Sequence, residues 1–140
     1  MSDTPYSAYN ENARLLEFAN YAISHYTREQ FDRNKSELTP YNVSSTHGYD
    51  QSHRLGAQTN AATQRDEQQN LDRIDRLDAE ERKRRLRVAA SESRFGRNHA
   101  EELHRLLQTH EAAFGELLET TWRNFYHRQC EVIRRNIATV

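Results

Sequence analysis

Residues 99–137 decide the fold, because they carry the widest apolar stripe in the chain. They read HAEELHRLLQTHEAAFGELLETTWRNFYHRQCEVIRRNI. Apolar side chains recur in this stretch at spacings dominated by three and four residues, which places them on one face of an α-helix. An unbroken helix over this range is roughly 58 Å long at about 1.5 Å per residue. A compact domain of this chain length is only about 37 Å across, so the sequence predicts an elongated monomer.

The same stripe predicts association between chains. The two or three helices of an elongated hairpin cannot fully cover so long an apolar flank, so neighbouring chains are expected to bury it in an oligomeric bundle or ring. The predicted oligomer or partner interface consists of side chains on the stripe, namely Leu103, Leu106, Leu107, Phe114, Leu117, Leu118, Trp122, Phe125 and Ile133.

The composition limits the size of the core. Hydrophobic residues make up 35% of the 140-residue chain, whereas globular chains hold roughly 45 to 50% apolar residues. A net charge of −1 argues against full disorder, which normally accompanies a large net charge. Apolar runs long enough to cross a membrane are missing from the sequence. We therefore expect an all-α protein rather than a compact enzyme with a large interior.

Prolines and glycines divide the chain into three parts. Residues 1–38 are predicted to form an amphipathic helix, and residues 39–57 hold the turn-forming residues of a loop or arm. Residues 58–140 are predicted to form a helical hairpin, with a charged helix at 58–93, a turn at 94–98 and the long helix at 99–137. Together these parts predict either an elongated hairpin or three long helices. The face predicted for the first helix comprises Tyr9, Ala13, Leu16, Ala19, Ile23 and Tyr26.

The charged helix contains a basic run with two interpretations. Acidic residues precede basic ones by four positions in several pairs, such as Glu81 and Arg85, and this arrangement stabilises a helix that has little core. Neutralised by these acids, the run is typical of a salt-bridged helix surface, while phosphate contact is the alternative. The candidate phosphate-contacting residues are Arg82, Lys83, Arg84, Arg85 and Arg87.

The junction at 94–98 is predicted from turn and capping residues. Gly96 is expected to end the charged helix by adopting a positive φ. Asn98, followed three positions later by Glu101, is expected to form a capping box that begins the long helix.

Catalytic and metal-binding patterns are missing from the sequence, so we expect no enzyme, no metal and no cofactor. No pair of histidines has the four-residue spacing of a helical metal site, and there is no glycine-rich phosphate loop. His110 lies on the apolar stripe and is interpreted as an interface histidine. Cys130 is interpreted as a packing residue rather than a nucleophile.

Several segments between Gln58 and Gln129 resemble a known family. The resemblance rests on Gln58-Thr59-Asn60, on Arg87-Val88-Ala89-Ala90-Ser91-Glu92-Ser93 before Gly96, on Leu103 with Arg105, and on Arg123-Asn124-Phe125-Tyr126-His127-Arg128-Gln129. Its most specific part is Ala-x-Glu-Ser followed by a glycine turn and a leucine-bearing helix. This combination resembles the small internal virion proteins of short-tailed phages of the autographivirus type, those similar to internal virion protein B.

The resemblance implies a helical protein of the capsid core near the portal. Members of that family assemble in rings with larger internal virion proteins and are expelled at infection to help form the channel for genome delivery. It therefore implies homo-oligomers, contact with larger internal virion proteins and with the portal, and a location in the host cell envelope after ejection. The residues themselves leave membrane contact open. The alternative is a helical adaptor or scaffolding protein with coiled-coil-like contacts, and a nucleic-acid-contacting helix ranks below both.

Overall fold

The computed structural model describes residues 3–38 and 56–138, with side-chain surroundings for 11–34 and 62–138. Within these ranges all regular secondary structure is helical and no strand occurs, so the all-α prediction is confirmed. The loop or arm predicted at 39–57 lies outside the described residues, apart from its last two positions. Those two positions already belong to a helix.

The described residues form five helices. In chain order they are α1 (Asp3–Leu38), α2 (Gly56–Asp75), α3 (Ala79–Glu92), α4 (Arg94–Asn98) and α5 (Ala100–Ala138). The predicted first and last helices thus agree with α1 and α5 to within a few residues.

The buried face of α1 differs from the predicted one. Leu15 and Phe18 are fully buried, whereas Ala13 and Leu16 are exposed. The predicted positions Ala19, Ile23 and Tyr26 are buried as expected. The spacing of apolar residues predicted the helix correctly. It did not decide which side of the helix is buried, because Leu15 and Leu16 are only about 100° apart around the helix axis and a face through either residue fits the same spacing.

The charged stretch 58–93 is two helices rather than one. It breaks between Asp75 and Ala79, where Asp78 is the N-cap of α3 and its carboxylate accepts a hydrogen bond from the Glu80 backbone N–H at 3.1 Å. A capping aspartate satisfies a backbone donor that has no partner at the start of a helix. Asp78 followed three positions later by Glu81 matches the spacing of a capping box, and the unbroken-helix prediction overlooked it.

The junction before α5 also differs from its prediction. No glycine among the described residues has a positive φ, so the role predicted for Gly96 is wrong. Ser93 provides the cap instead, because its hydroxyl accepts a hydrogen bond from the Gly96 N–H at 2.9 Å. Asn98 lies inside α4 and α5 begins at Ala100, so the capping box predicted at Asn98 is wrong as well.

Gly96 is needed for a close approach of two backbones. A Cβ atom at this position would lie 1.7 Å from the Ala90 carbonyl oxygen. The hydroxyl of Ser93 in turn donates to the same carbonyl at 2.9 Å. The turn between α3 and α4 therefore closes only around a residue without a side chain.

The long helix α5 is kinked at His110, whose φ of −119° and ψ of 28° are non-helical. The ring Nε2 of His110 lies 3.1 Å from the Glu11 carboxylate on α1. The residue interpreted from sequence as an interface histidine thus makes a contact within the chain.

Two compact units divide the chain. The first unit comprises Met1–Tyr26 and Leu77–Phe125. Its core is apolar and aromatic, with residues from α1, α3 and α5 burying one another. The buried apolar residues of the first unit are Leu15, Phe18, Ala19, Ala22, Ile23, Tyr26, Leu86, Ala89, Ala90, Leu103, Leu106, Phe114, Leu118 and Trp122.

The second unit comprises Thr27–Arg76 and Tyr126–Val140. Among its described residues, the buried apolar set is limited to Leu71, Ile74 and Ile133. Asn70 is buried with them and makes two hydrogen bonds: its amide nitrogen donates to the Thr27 carbonyl at 3.0 Å, and its amide oxygen accepts from Asn34 at 3.2 Å. Among the described residues, hydrogen bonds therefore contribute more to the packing of the second unit than to that of the first.

Candidate interaction surface

Most of the predicted interface lies inside the chain's own core. Three predicted members, Leu107, Leu117 and Phe125, are half-buried. The other six are buried, namely Leu103, Leu106, Phe114, Leu118, Trp122 and Ile133. The chain's own helices thus cover most of the stripe. An oligomer interface stays a prediction, and it now depends on the three half-buried residues.

Arg82, the first residue of the basic run, forms a buried ion pair. Its Nε and Nη2 donate to the two carboxylate oxygens of Glu119 on α5, at 3.0 and 2.6 Å. The two side chains are only 8% and 14% exposed. A third bond runs from Nη1 to the Leu77 carbonyl at 2.9 Å. A guanidinium enclosed in this way is a structural link between helices and is withdrawn from phosphate.

The remaining members of the run also have acidic partners. Lys83 Nζ lies 3.1 Å from Glu80 and 3.3 Å from Glu116. These hydrogen bonds raise the pKa of Lys83 above its usual value. The partners of the other members are Glu81 for Arg84, Glu81 at 2.7 Å and Tyr26 at 3.1 Å for Arg85, and Glu111 at 3.7 Å for Arg87.

Glu81 and Gly115 allow the basic side chains of the run to pack on the protein surface. Hydrogen bonds from Arg84 and Arg85 lower the pKa of the Glu81 carboxyl. On α5, a Cβ at Gly115 would meet the Arg87 guanidinium at 3.3 Å and the Lys83 stem at 3.8 Å. The missing side chain leaves room for these two cations to lie against α5. Phosphate contact by the run, the alternative interpretation of the sequence, therefore has to compete with existing ion pairs.

An aromatic cluster surrounds α4. The ring of Phe95 stacks on Tyr21 with centroids 4.4 Å apart and planes 13° apart. Its centroid is also 4.3 Å from the His99 ring and 5.0 Å from the Phe18 ring. The His99 Nδ1 lies 2.9 Å from the Phe95 carbonyl oxygen, which accepts its hydrogen bond when that nitrogen is protonated. The cluster joins α1, α4 and the start of α5.

Arg14 fixes this cluster from α1. Its Nε and Nη2 donate to the two oxygens of Glu102, each at 2.7 Å. Its guanidinium carbon also lies 5.1 Å from the centroid of Phe95, within the range of a cation–π interaction. The hydrogen bond from Arg14 lowers the pKa of Glu102, and the pKa of Arg14 is raised in return.

Two arginines of α4 contrast with the basic run. Arg94 and Arg97 are exposed, and neither forms an ion pair within the part of the chain that the structure describes. The sequence pattern predicts a turn at these positions and no functional role for them.

A polar cluster joins α2 and α5 in the second unit. The Tyr126 hydroxyl donates to Asp72 at 2.6 Å, and the Gln68 amide donates to the same oxygen at 2.8 Å and to the Cys130 sulfur at 3.1 Å. The bond to Asp72, followed by burial, raises the pKa of Tyr126. Cys130 is half-buried in this cluster.

Comparisons with protein-family models, with curated proteins and with solved structures find no match to this chain. None of the helices in the described ranges has the length and apolar character needed to span a bilayer. The features that bear on function are therefore the chain's own: the Gly96 junction, the ion-paired basic run, and the exposed aromatic and arginine residues around α4.

Proposed function

We propose that this chain is a structural protein of a phage virion. In this role it lies in the internal core near the portal and is ejected to help form the channel for genome delivery. The observation that carries the proposal is the junction from Ser91 to Gly96, where the most specific part of the resemblance lies. Gly96 has no room for a side chain there, which gives a physical reason for a glycine in that motif.

The composition of the core supports passage through a narrow channel. A protein that is ejected has to lose part of its tertiary packing and regain it. Among its described residues, the second unit buries only Leu71, Ile74 and Ile133 as apolar side chains. Opening the described part of that unit therefore exposes little apolar surface and costs less free energy than opening an apolar core.

The partners proposed for this role are further copies of the chain, larger internal virion proteins and the portal. Large apolar side chains available for such contacts are Leu16, Tyr21, Val88 and Val132, which are 40 to 51% exposed. The half-buried Leu107 and Leu117 on α5 add to them. Contact with the host envelope after ejection is part of the same proposal, through a surface rather than a spanning helix.

Mass spectrometry of purified phage particles tests the proposal. Particles of the phage that encodes this chain should contain it, and particles emptied by triggered ejection in vitro should have lost it. The major capsid protein, which stays in the emptied shell, is the internal control. Absence of the chain from full particles would refute a virion role, and retention after emptying would refute ejection.

The second candidate is a helical adaptor or scaffolding protein, favoured by the half-buried Leu107 and Leu117 on a charged helix. Substituting both, Leu107→Asp with Leu117→Asp, should abolish association measured by light scattering coupled to size exclusion. Thr109→Asp with Ala113→Asp is the matched control, because both residues are exposed on the same helix. Association without presence in particles would favour the adaptor, and a monomeric wild-type chain would refute self-association in both candidates.

A further inference from the structure

We propose that His25, Glu29 and Glu92 form a binding site for a zinc ion. The three residues lie on two helices, with His25 and Glu29 on α1 and Glu92 at the end of α3. We call this set the zinc cluster. The inference does not depend on the virion role, and it uses none of the residues of the basic run.

The possible ligand atoms of the zinc cluster converge. One ring nitrogen of His25 and one carboxylate oxygen from each of Glu29 and Glu92 all lie within 4.8 Å of one another. Two ligands on opposite sides of a zinc ion are about 4.2 Å apart, because each bond is about 2.1 Å long. Small side-chain rotations therefore bring all three atoms to coordination distance of one ion.

The register of α1 supplies two of the three ligands. Glu29 follows His25 by four positions on this helix, and residues at this spacing lie one above the other on the same face. The paired histidines of helical zinc motifs use the same spacing to hold one ion between them. A search for paired histidines overlooks this site, because a carboxylate takes the place of the second ring.

The third ligand lies where negative charge accumulates. Glu92 is the last residue of α3, and the last turn of that helix contains no basic residue. The carboxyl end of a helix carries a partial negative charge, so the Glu92 carboxylate is repelled both by its own helix and by the Glu29 carboxylate. A divalent cation between the two carboxylates reverses both effects.

Other side chains leave the zinc cluster available. Within the described ranges, His25 and Glu92 form no hydrogen bond or ion pair, and Glu29 has only a long contact of 4.0 Å to Arg33. His25 and Glu29 are half-buried and Glu92 is exposed, so an ion can reach them from solvent. In contrast, the carboxylate of Glu119 is already bound by an arginine.

The ligand chemistry favours zinc over the common hard cations. An imidazole nitrogen is a usual ligand of zinc, whereas Mg²⁺ and Ca²⁺ bind oxygen ligands. Three protein ligands leave one position of a four-coordinate zinc ion for water. We therefore expect a zinc ion that links His25 on α1 to Glu92 on α3 and carries one water molecule.

Isothermal titration calorimetry of the full chain with zinc chloride tests the proposal. The wild type should bind zinc at this cluster, and zinc should raise its melting temperature. His25→Ala should weaken zinc binding about tenfold or more, since even residues that only support metal ligands contribute about that much. Glu92→Gln, at an exposed position, should weaken it similarly without disturbing the fold. Magnesium chloride should give no comparable binding.

The matched control is His127→Ala with Glu131→Gln. These two exposed residues repeat the four-residue spacing of histidine and glutamate on α5. No third ligand joins them in the part of the chain that the structure describes. Zinc affinity should therefore be unchanged in this variant.

Four results would overturn the proposal, with circular dichroism showing that the variants are folded. The first is no zinc binding by the wild type. The second is wild-type affinity in both His25→Ala and Glu92→Gln, which would locate any bound zinc elsewhere on the chain. The third is an equal loss in the control variant, which would indicate adventitious binding to surface histidines. The fourth is equal affinity for magnesium, which would indicate a merely acidic surface.

Discussion

The two compact units use different means to hold helices of the same charged chain together. The first unit buries large rings, with Trp122, Phe18 and Phe114 fully enclosed. The second unit buries few apolar side chains among its described residues and joins its helices through amide and carboxylate groups, centred on Asn70 and Asp72. The difference teaches that resistance to unfolding is distributed unevenly: we expect the first unit to open last.

The largest expected effect follows from truncating the first unit's core. Trp122→Ala should lower the free energy of unfolding by about 4 kcal/mol, because the ring is 1% exposed and leaves a large cavity. Ile133→Ala in the second unit should cost only about 2 kcal/mol, at the low end for a buried aliphatic residue. Urea denaturation followed by circular dichroism measures both. Equal losses would contradict the contrast between the units.

The two helical glycines of the first unit provide the next comparison. Gly96→Ala should cost about 3 kcal/mol or more, because the new methyl group meets the backbone oxygen of Ala90. Gly115→Ala should change stability by no more than about 1 kcal/mol, because the new methyl group meets the far end of the long Arg87 side chain rather than backbone, and the helix gains propensity. Thermal melts of the two variants check this, and similar melting temperatures would argue against a closed turn at Gly96.

Among the described residues of the first unit, Arg82 and Glu119 form the ion pair with the least exposed side chains. Arg82→Met should cost about 3 kcal/mol, because it leaves the Glu119 carboxylate enclosed without its main partner. Adding Glu119→Leu should restore most of that loss. Arg84→Met, at an exposed partner of Glu81, should stay within about 0.5 kcal/mol. Urea titrations at fixed pH measure all three, and failure of the double variant to recover would indicate a stabilising pair.

In the second unit, the side-chain amide of Asn70 is expected to contribute to the free energy of unfolding. Asn70→Ala removes bonds to Thr27 and Asn34 and leaves a backbone carbonyl without that donor, so it should cost about 1 to 2 kcal/mol. Gln69→Ala, at the exposed neighbouring position, is the control. Hydrogen exchange should show the loss first in α2. Unchanged protection there would show that apolar contacts alone hold this unit.

The smallest expected effect concerns alkaline pH. The folded-state pKa of Tyr126 is raised above its usual value of about 10. The hydroxyl bond to Asp72 therefore stabilises the fold fully below pH about 10, and this contribution is lost as the pH rises through the folded-state pKa. Tyr126→Phe should flatten the fall in the urea midpoint above pH about 10. Tyr21→Phe controls for loss of a phenol, and parallel profiles of wild type and Tyr126→Phe would contradict the assignment.

The sequence predicted the helices better than the junctions between them. Periodicity found α1 and α5 because long amphipathic helices repeat one pattern many times. The break before Ala79 and the geometry at Gly96 each depend on a single capping residue. The spacing of Asp78 and Glu81 matches a capping box and was available in the sequence, whereas the capping role of the buried Ser93 depends on a backbone partner that the sequence does not show. Local signals of this kind are the weakest in a sequence.

The candidate surface was harder to predict than the helices, because ion pairs form between residues that are distant in sequence and meet only in the folded chain. The run from Arg82 to Arg87 has the highest local density of positive charge, but acids on α5 such as Glu119 neutralise it from more than thirty positions away. Arg94 and Arg97 form no ion pair among the described residues, a property that they share with other exposed arginines such as Arg128 and Arg134. The apolar stripe likewise could not reveal which of its members the chain's own helices cover.

The closed turn at Gly96 supplies a fingerprint for recognising distant relatives. Two capping residues, Asp78 and Ser93, mark the ends of α3. Three positions after Ser93 stands Gly96, where the backbone leaves no room for a side chain. Most substitutions at exposed charged positions have little effect on stability, whereas any side chain at Gly96 would collide with the Ala90 carbonyl oxygen. Searches weighted on these few positions should therefore reach homologues that overall similarity misses.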